Sequence, residues 1–203
     1  MPKGKAVFRN LGASNHSLRE RQEEDFYKTD VKTIKALIDK LIENNMIDFD
    51  DVFIEPSAGD GVIIDTISNY TSNYVKYLAY DIVDRGFNNT NIQDFLTVES
   101  FNLEDKKMII GNPPYKLATE FVEHSLDLLD DGEYACYLLK IQFLEGKKRR
   151  KMFEKYPPKH VWVFSERQGC LKNGEQQEHN SAVCYCWYIF QKGFVGKPTI
   201  DWL

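Results

Sequence analysis

The segment Asn-Pro-Pro-Tyr at positions 112 to 115 contains the residue types with the clearest chemical use in this sequence. Pro113 and Pro114 each fix φ and lack an N–H, so the segment cannot extend a β-ladder and forms a stiff turn. The amide of Asn112 offers a donor and an acceptor, and with the carbonyl of Pro113 it can hold one planar amine. Tyr115 provides a flat ring for stacking on a planar group. The other interpretation is a proline-rich turn with an ordinary surface tyrosine.

A buried strand is predicted directly before this turn. Met108 to Ile110 form a short apolar run with branched side chains, which is typical of such a strand. Gly111 ends the run, so Asn112 is predicted to stand at the end of the strand. The strand therefore positions the turn and its amide.

An earlier strand is followed by the sequence EPSAGDG at residues 55 to 61. Gly59 and Gly61 lack Cβ atoms where a tight turn into the next helix must pass close to a ligand. The turn lacks the third glycine of a phosphate-binding fingerprint, and the carboxylates of Glu55 and Asp60 would repel a pyrophosphate. A nucleotide-like cofactor without phosphates is therefore the better match.

Two further acidic residues follow predicted strands. The run Val75 to Ile82 is predicted to be the second strand, and Asp81 near its end can accept hydrogen bonds from both hydroxyls of a ribose. The alternative is a surface aspartate. After a short third strand, Asp94 can accept from an adenine amine and Phe95 can line the face of the ring. The alternative there is a helix cap followed by core residues.

The amino-terminal region divides into two parts. Residues 1 to 25 are polar, charged and aperiodic, which indicates an arm with little regular structure. Residues 26 to 203 are predicted to form a single domain. Thr29 or Asp30 can cap a helix that begins at Val31, because apolar residues then recur at intervals of three and four.

The remainder of the chain continues to alternate between helices and strands, which predicts an α/β fold with a terminal hairpin. The predicted elements are a helix over Phe121 to Leu129, a strand from Tyr134 to Phe143, a short helix opened by GKKRRK, a strand from Val161 to Phe164, a polar loop from Arg167 to Ser181, and a last strand from Ala182 to Phe190.

Composition limits the class of protein. The 203 residues, 42% of them hydrophobic, can bury the core of one domain. No apolar run approaches the roughly 18 residues of a membrane span, and the amino terminus lacks the apolar centre of a secretory signal, which favours a cytoplasmic protein without membrane contact. The four cysteines and four histidines are scattered, so neither a disulfide framework nor a metal site is predicted.

Charge is unevenly distributed in a chain whose net charge is −5. Between Lys140 and Lys172 there are ten basic residues and three acidic ones. Such segregation allows a phosphate-binding face on an acidic protein. The candidate nucleic-acid contacts are Lys147, Lys148, Arg149, Arg150 and Lys151. The alternative is a solvated basic helix face.

The motifs FYKTD, EPSAGDG, QDFL and NPPY, with Asp81 between the second and third, resemble those of the class I S-adenosylmethionine-dependent methyltransferases that act on amines. More narrowly, the chain is similar to small phage-type adenine-N6 DNA methyltransferases in which the cofactor motifs precede the catalytic one. Residues 26 to 190 carry the resemblance. It implies a Rossmann-like, mostly parallel seven-stranded sheet with an antiparallel last strand and helices on both faces.

The resemblance also implies roles for single residues. Asn112 and the Pro113 carbonyl would bind the target amine beside Pro114, and Tyr115 would stack on a flipped base. S-adenosylmethionine would be held at its methionine end, its ribose and its adenine by Phe26, Thr29, Glu55, Pro56, Ser57, Gly59, Gly61, Asp81, Ile82, Asp94, Phe95 and Asn112.

The substrate remains open among several acceptors. DNA is the leading one, but the same motif occurs in enzymes that methylate RNA bases or a protein glutamine. An idle cofactor-binding module is a third interpretation. The chain departs from large family members because no separate target-recognition domain is predicted, so a partner or specificity subunit could supply recognition. It also has Asp30 where the family often places proline, which affects the assignment of Thr29.

Overall fold

The computed structural model describes residues 28–71, 74–166 and 183–203. The predicted arm at residues 1–25, Phe26 and the predicted polar loop at residues 167–181 lie outside them. The helices and strands of the described residues are α1 (Val31–Glu43), β1 (Val52–Glu55), α2 (Val62–Thr71), β2 (Tyr77–Asp81), β3 (Thr90–Ile92), β4 (Lys107–Gly111), α3 (Ala118–Leu128), β5 (Tyr134–Lys140), α4 (Lys147–Lys155), β6 (His160–Val163), β7 (Tyr185–Gln191) and β8 (Thr199–Trp202).

The strands form one sheet in the order β3-β2-β1-β4-β5-β7-β6-β8. Strand β7 is antiparallel to both of its neighbours, and the other pairings are parallel. After β1 the chain builds outward through β2 and β3, then returns to place β4 on the other side of β1. This reversal opens a crevice at the carboxyl ends of β1 and β4, where open α/β sheets bind ligands. The predicted Rossmann-like α/β fold is confirmed.

Helices cover both faces of the sheet, as predicted. On one face α1 buries Ile34, Leu37 and Leu41 completely, against strand residues such as Phe53. On the other face Phe121 and its neighbours in α3 pack against the strands. These two apolar layers hold the strand ends in fixed positions, so the turns that follow β1, β2 and β4 meet in one place.

Two details of the predicted sheet are wrong. The sheet has eight strands rather than seven, because β8 adds an edge strand whose Ile200 and Trp202 are 59% and 63% exposed. An exposed edge strand lacks the apolar run that identifies a buried one. Strand β5 ends at Lys140, and a 3₁₀ turn at Ile141–Leu144 replaces the predicted continuation to Phe143.

The start of α1 shows which predicted cap is used. Asp30 accepts a hydrogen bond from the backbone N–H of Lys32 at 2.9 Å and is the N-cap residue. Thr29 is therefore left to face the crevice, where it lines the site described below. Across the described ranges, none of the helices combines the length and apolar character needed to cross a membrane.

Candidate active site

A cavity lies at the carboxyl ends of β1, β2 and β4. Its empty volume, counted with the open mouth, is about 820 Å³. Carboxylates, amides and apolar side chains from separate parts of the chain share its wall. The lining residues are Thr29, Glu55, Pro56, Ser57, Ala58, Asp60, Val62, Asp81, Ile82, Arg85, Gln93, Asp94, Phe95, Asn112, Pro114, Leu117 and Phe121.

The two glycines predicted after β1 shape this cavity without lining it. Gly59 and Gly61 have φ values of 57° and 76°, in the left-handed region that glycine adopts without strain. A Cβ on Gly61 would lie 2.0 Å from the ring of Phe87. The turn therefore depends on glycine at position 61, and it delivers the N–H of Gly59 toward β2.

Asp81 receives that N–H. Its Oδ2 accepts from Gly59 N at 2.8 Å, and its Oδ1 accepts from Val83 N at 3.0 Å. Each carboxylate oxygen has a second lone pair, so the side chain can still accept hydrogen bonds from a ligand in the cavity. The two backbone donors fix the orientation of the carboxylate before any ligand arrives.

Glu55 is the most deeply buried acid of the cavity, with 2% of its surface exposed. Its Oε2 has no hydrogen-bond partner among the described residues. Burial raises the pKa of the Glu55 carboxyl well above its ordinary value, and the charges of Asp60, Asp65 and Asp81 raise it further, against a lowering hydrogen bond from the Ile64 backbone. Such a group favours a cationic ligand.

Asn112 joins three distant parts of the chain. Its Nδ2 donates to Thr29 Oγ1 at 3.1 Å, and its backbone carbonyl accepts from Ser57 Oγ at 3.3 Å. The NPPY turn after β4, the glycine turn after β1 and the residue before the α1 cap therefore meet at one wall of the cavity. The side-chain oxygen of Asn112 is itself buried.

The rest of the NPPY turn faces in different directions. Pro114 lines the cavity, and its carbonyl accepts from Leu117 N at 2.9 Å. Pro113 is buried and Tyr115 is half-buried, and neither lines the cavity. The Tyr115 ring lies 6.0 Å from the ring of Tyr185, centroid to centroid. Tyr115 is thus placed beside the cavity rather than inside it.

At the other end of the cavity, Asp94 and Phe95 take the predicted places of a helix cap and a core residue. Asp94 caps a 3₁₀ turn by accepting from Leu96 N at 3.0 Å, and Phe95 is 1% exposed and stacks on Phe121. Both residues also line the cavity, as does the exposed Ile82. The predicted cap and core residues therefore provide an apolar wall with one carboxylate.

Several lining residues are not predicted by the sequence patterns. Arg85, Gln93, Leu117 and Phe121 line the cavity from loops after β2, β3 and the NPPY turn, and from α3. Arg85, Gln93 and Leu117 share one signal, which is a place shortly after β2, β3 or the NPPY turn, whereas Phe121 lies within α3. Asp60, which the sequence presents only as a repulsive charge, lines the mouth and forms an ion pair with Lys28 at 2.7 Å.

Helix α4 presents most of the predicted basic residues to solvent. Lys147, Lys148, Arg150 and Lys151 are exposed, and Arg150 pairs with Glu154 at 3.0 Å. Arg149 instead folds back. Its Nε donates to the carbonyl of Glu145 at 2.8 Å, and its guanidinium lies 5.2 Å from the centre of the Phe143 ring. The Arg149 side chain is therefore engaged in holding the 3₁₀ turn to α4.

Comparison with known proteins gives structural similarity alone. No family model matches the sequence, and no curated protein does. The chain is similar to a type I restriction-modification methyltransferase subunit from Streptococcus thermophilus, with a TM-score of 0.67 and 14% identity over 86% of this chain and 47% of that one. It is also similar to a provisionally assigned RNA methyltransferase from Pyrococcus horikoshii, with a TM-score of 0.59 and 15% identity over 95% and 100% of the two chains.

A third similar structure comes from Listeria monocytogenes and is a provisionally assigned class I S-adenosylmethionine-dependent methyltransferase. The TM-score is 0.58, with 14% identity over 85% of this chain and 64% of that one. The chain thus spans about half of the restriction-modification subunit and less than two thirds of the Listeria protein. The chain therefore shares its Rossmann-like α/β fold with these three structures.

Proposed function

We propose that this protein transfers a methyl group from S-adenosylmethionine to an exocyclic amine, and that the acceptor is N6 of adenine in DNA. The observation that supports it most is the junction at Asn112. Its hydrogen bonds to Thr29 and Ser57 hold the Asn112 amide at the wall of a cavity that also carries Glu55 and Asp81. An amide of this kind beside a cofactor cavity is what amine methylation requires.

The cavity suits S-adenosylmethionine in charge and shape. The Oε2 of Glu55, which has no hydrogen-bond partner within the described part of the chain, can accept from the cationic amino group of the methionine end. Asp81 can accept from the ribose hydroxyls, because each of its oxygens has used one lone pair on backbone. The adenine would lie by Asp94 and Phe95, and the carboxylates would disfavour a ligand that carries phosphates.

The protein residues would make the acceptor nucleophilic. When bound, S-adenosylmethionine supplies an electrophilic methyl group on a sulfonium. The lone pair of an exocyclic amine is delocalised into its ring, so Asn112 and the Pro113 carbonyl, by accepting the amine hydrogens, would favour a tetrahedral nitrogen and stabilise its developing positive charge. The Asn112 oxygen is buried, so bulk water does not compete for it.

Tyr115 would compensate part of the cost of extracting the base from its stack. Flipping costs a few kcal/mol, and stacking on an aromatic ring recovers about 1 to 3 kcal/mol. The ring lies beside the cavity, next to the residues proposed to bind the amine. A specificity subunit or another partner would supply further recognition, as in the family this chain resembles.

A second candidate acceptor is RNA. The similar Pyrococcus protein, provisionally assigned as an RNA methyltransferase, is matched along its full length. An RNA base amine would use the same residues, as would a protein glutamine, and the exposed lysines of α4 fit the phosphates of either nucleic acid.

The test is transfer of labelled methyl from S-adenosylmethionine to separate pools of duplex DNA, single-stranded DNA, total RNA and protein. Digestion and mass spectrometry then identify the methylated residue. N6-methyladenine in DNA is the expected product. Label in an RNA base or in glutamine would replace the acceptor but keep the chemistry, and absence of label from every pool, with cofactor binding intact, would favour an idle module.

Glu55→Gln should change the pH dependence of the free energy of unfolding and that of the cofactor affinity in opposite directions. In the folded protein the raised pKa lets Glu55 retain a proton that the unfolded chain has released, so the free energy of unfolding falls as pH rises above the ordinary value of 4.5. The glutamine variant does not titrate in this way, and its stability relative to wild type should increase with pH. Urea unfolding without cofactor at pH values from about 5 to about 8 measures it.

Cofactor binding to the wild type should show the opposite dependence. The cationic amino group of the cofactor favours the ionised form of the Glu55 carboxyl. The affinity for the cofactor should therefore increase with pH until the pH exceeds the raised pKa of Glu55 in the ligand-free protein. Calorimetric titration across the same pH range should give a weaker and nearly flat affinity for Glu55→Gln. Asp60→Asn, which alters a more exposed carboxylate of the same cavity, is the control. Equal pH profiles in Glu55→Gln and wild type would remove Glu55 from the binding role.

The exposed lysines of α4 should control the salt dependence of DNA binding. In the double variant Lys147→Ala with Lys148→Ala, the slope of log affinity against log salt should flatten by roughly 0.9 for each phosphate that the variant no longer neutralises. Fluorescence anisotropy measures it. Lys32→Ala with Lys106→Ala removes the same charge from exposed positions outside α4. Equal slopes in both double variants and the wild type would leave α4 as a solvated face.

A further inference from the structure

Lys140 lies at the same end of the parallel strands as the NPPY turn, which is their carboxyl end. It is the last residue of β5, which runs parallel to β4 with Gly111 opposite Tyr137. Both strands therefore end on the side where Asn112 and Tyr115 stand. Sequence patterns alone give Lys140 no role beyond its share of the basic charge.

The backbone at Lys140 is fixed by the neighbouring strand. The hydroxyl of Tyr188 donates to the carbonyls of Lys140 and Ile141, both at 3.2 Å. Ile141 N also donates to the carbonyl of Cys184 at 2.9 Å. A lysine on such a support has a defined starting point, and only its own flexible side chain moves.

The ammonium group of Lys140 lies over the ring of Tyr115, with Nζ 4.8 Å from the ring centroid. The residue is half-buried, yet none of the carboxylates in the described ranges forms an ion pair with it. The buried Lys107 shows the contrast, because it pairs with Asp130 at 2.8 Å and Glu133 at 3.1 Å. Partly burying a cation without an anion is unfavourable, so the position suits an anion that arrives with the substrate.

We propose that Lys140 binds the phosphate beside the target nucleotide while the target base stacks on Tyr115. This inference rests on the proposed methyl transfer and narrows its acceptor to a nucleic acid. A phosphate supplies the missing anion, whereas the side chain of a glutamine acceptor is neutral. From its place above the Tyr115 ring, the lysine side chain reaches a phosphate of the nucleic-acid backbone. One side chain thus holds the nucleic-acid strand at the nucleotide whose base leaves the stack.

The experiment measures nucleic-acid binding independently of methyl transfer. The probe is a fluorescein-labelled DNA duplex with one adenine opposite an abasic site, because an unpaired base leaves the stack at low cost. Anisotropy is recorded with S-adenosylhomocysteine present over a series of salt concentrations. For Lys140→Met the affinity should fall about tenfold and the salt slope should flatten by roughly 0.7 to 0.9, the value of one phosphate contact. Lys140→Arg should restore most of both.

Lys106→Met is the matched control. It removes one charge from an exposed residue just before β4, at the amino end of the strand and away from the NPPY turn. An unchanged slope in Lys140→Met, or equal flattening in Lys106→Met, would overturn the phosphate contact and leave Lys140 as a packing partner of Tyr115. Wild-type methyl transfer is measured in parallel. If the wild type methylates DNA or RNA but Lys140→Met binds the probe like the wild type, only the phosphate contact of Lys140 is refuted. If the wild type methylates glutamine, the nucleic-acid acceptor is refuted. If Lys140→Met weakens binding but the wild type transfers no methyl group, only the proposed activity is refuted.

Discussion

Asn112→Ala should reduce the rate of methyl transfer by about 100-fold to 1,000-fold, the effect of removing one group that stabilises developing charge in a transition state. Its affinity for S-adenosylmethionine should change by less than about threefold, because the proposed cofactor contacts of Glu55 and Asp81 remain. The measurements are single-turnover transfer to the acceptor identified by labelling and calorimetric titration with the cofactor. Equal losses of transfer and of cofactor affinity would show that Asn112 binds the cofactor rather than activating the amine.

Thr29→Val is the graded control for that result. The hydroxyl of Thr29 accepts from Asn112 Nδ2 at 3.1 Å, so valine removes the hydrogen bond that orients the amide but keeps the amide itself. A loss of about tenfold in transfer is expected, between wild type and Asn112→Ala. Ser57→Ala, which removes a donor to the Asn112 backbone carbonyl, should have a smaller effect.

The main lines of the site could be predicted because its residues follow strands. Glu55, Asp81 and Asn112 stand at or just after the carboxyl ends of β1, β2 and β4. The carboxyl ends of neighbouring parallel strands lie side by side, so these residues meet. Their positions in one cavity follow from strand order and glycine turns. Their proposed roles rest on chemistry and resemblance, and remain predictions until the variants are measured.

Other features depend on contacts that a sequence does not display. Arg149 belongs to a basic run, but its guanidinium turns inward to the carbonyls of Gln142 and Glu145. Strand β8 is exposed, so it lacks an apolar signal. The ammonium of Lys140 lies over Tyr115 only because β4 and β5 are neighbours. In each case the deciding partner is distant in sequence or is backbone.

The two acids at the centre of the cavity are supported differently. Asp81 has two backbone donors, whereas burial dominates the surroundings of Glu55 and raises its pKa. Asp81 is therefore pre-oriented to accept hydrogen bonds, and Glu55 gains from a cation. This difference predicts that a substitution of Asp81 weakens recognition of neutral hydroxyls.

Asp81→Asn should lower the affinity for S-adenosylhomocysteine by about 100-fold, since hydrogen bonds to a charged group contribute about 1.5 to 3 kcal/mol each and about 1.4 kcal/mol is tenfold. Asparagine keeps the volume but has one acceptor atom. Either Gly59 N or Val83 N would then lack its acceptor, and one of the two ribose hydroxyls would lose the oxygen that accepts from it. Calorimetric titration measures the decrease in affinity.

A 2′-deoxy analogue of S-adenosylhomocysteine separates the ribose contact from a distorted turn. Wild type should bind the analogue about tenfold more weakly than the parent ligand, and Asp81→Asn should barely distinguish the two, because the acceptor that reads the hydroxyl is altered. Asp84→Asn is the matched control, as its carboxylate lies in the same loop and accepts from Gly86 N, but it does not line the cavity. If Asp81→Asn weakened both ligands by the same factor and kept full discrimination, Asp81 would act by holding the glycine turn, and the ribose would have to be bound by another residue of the cavity.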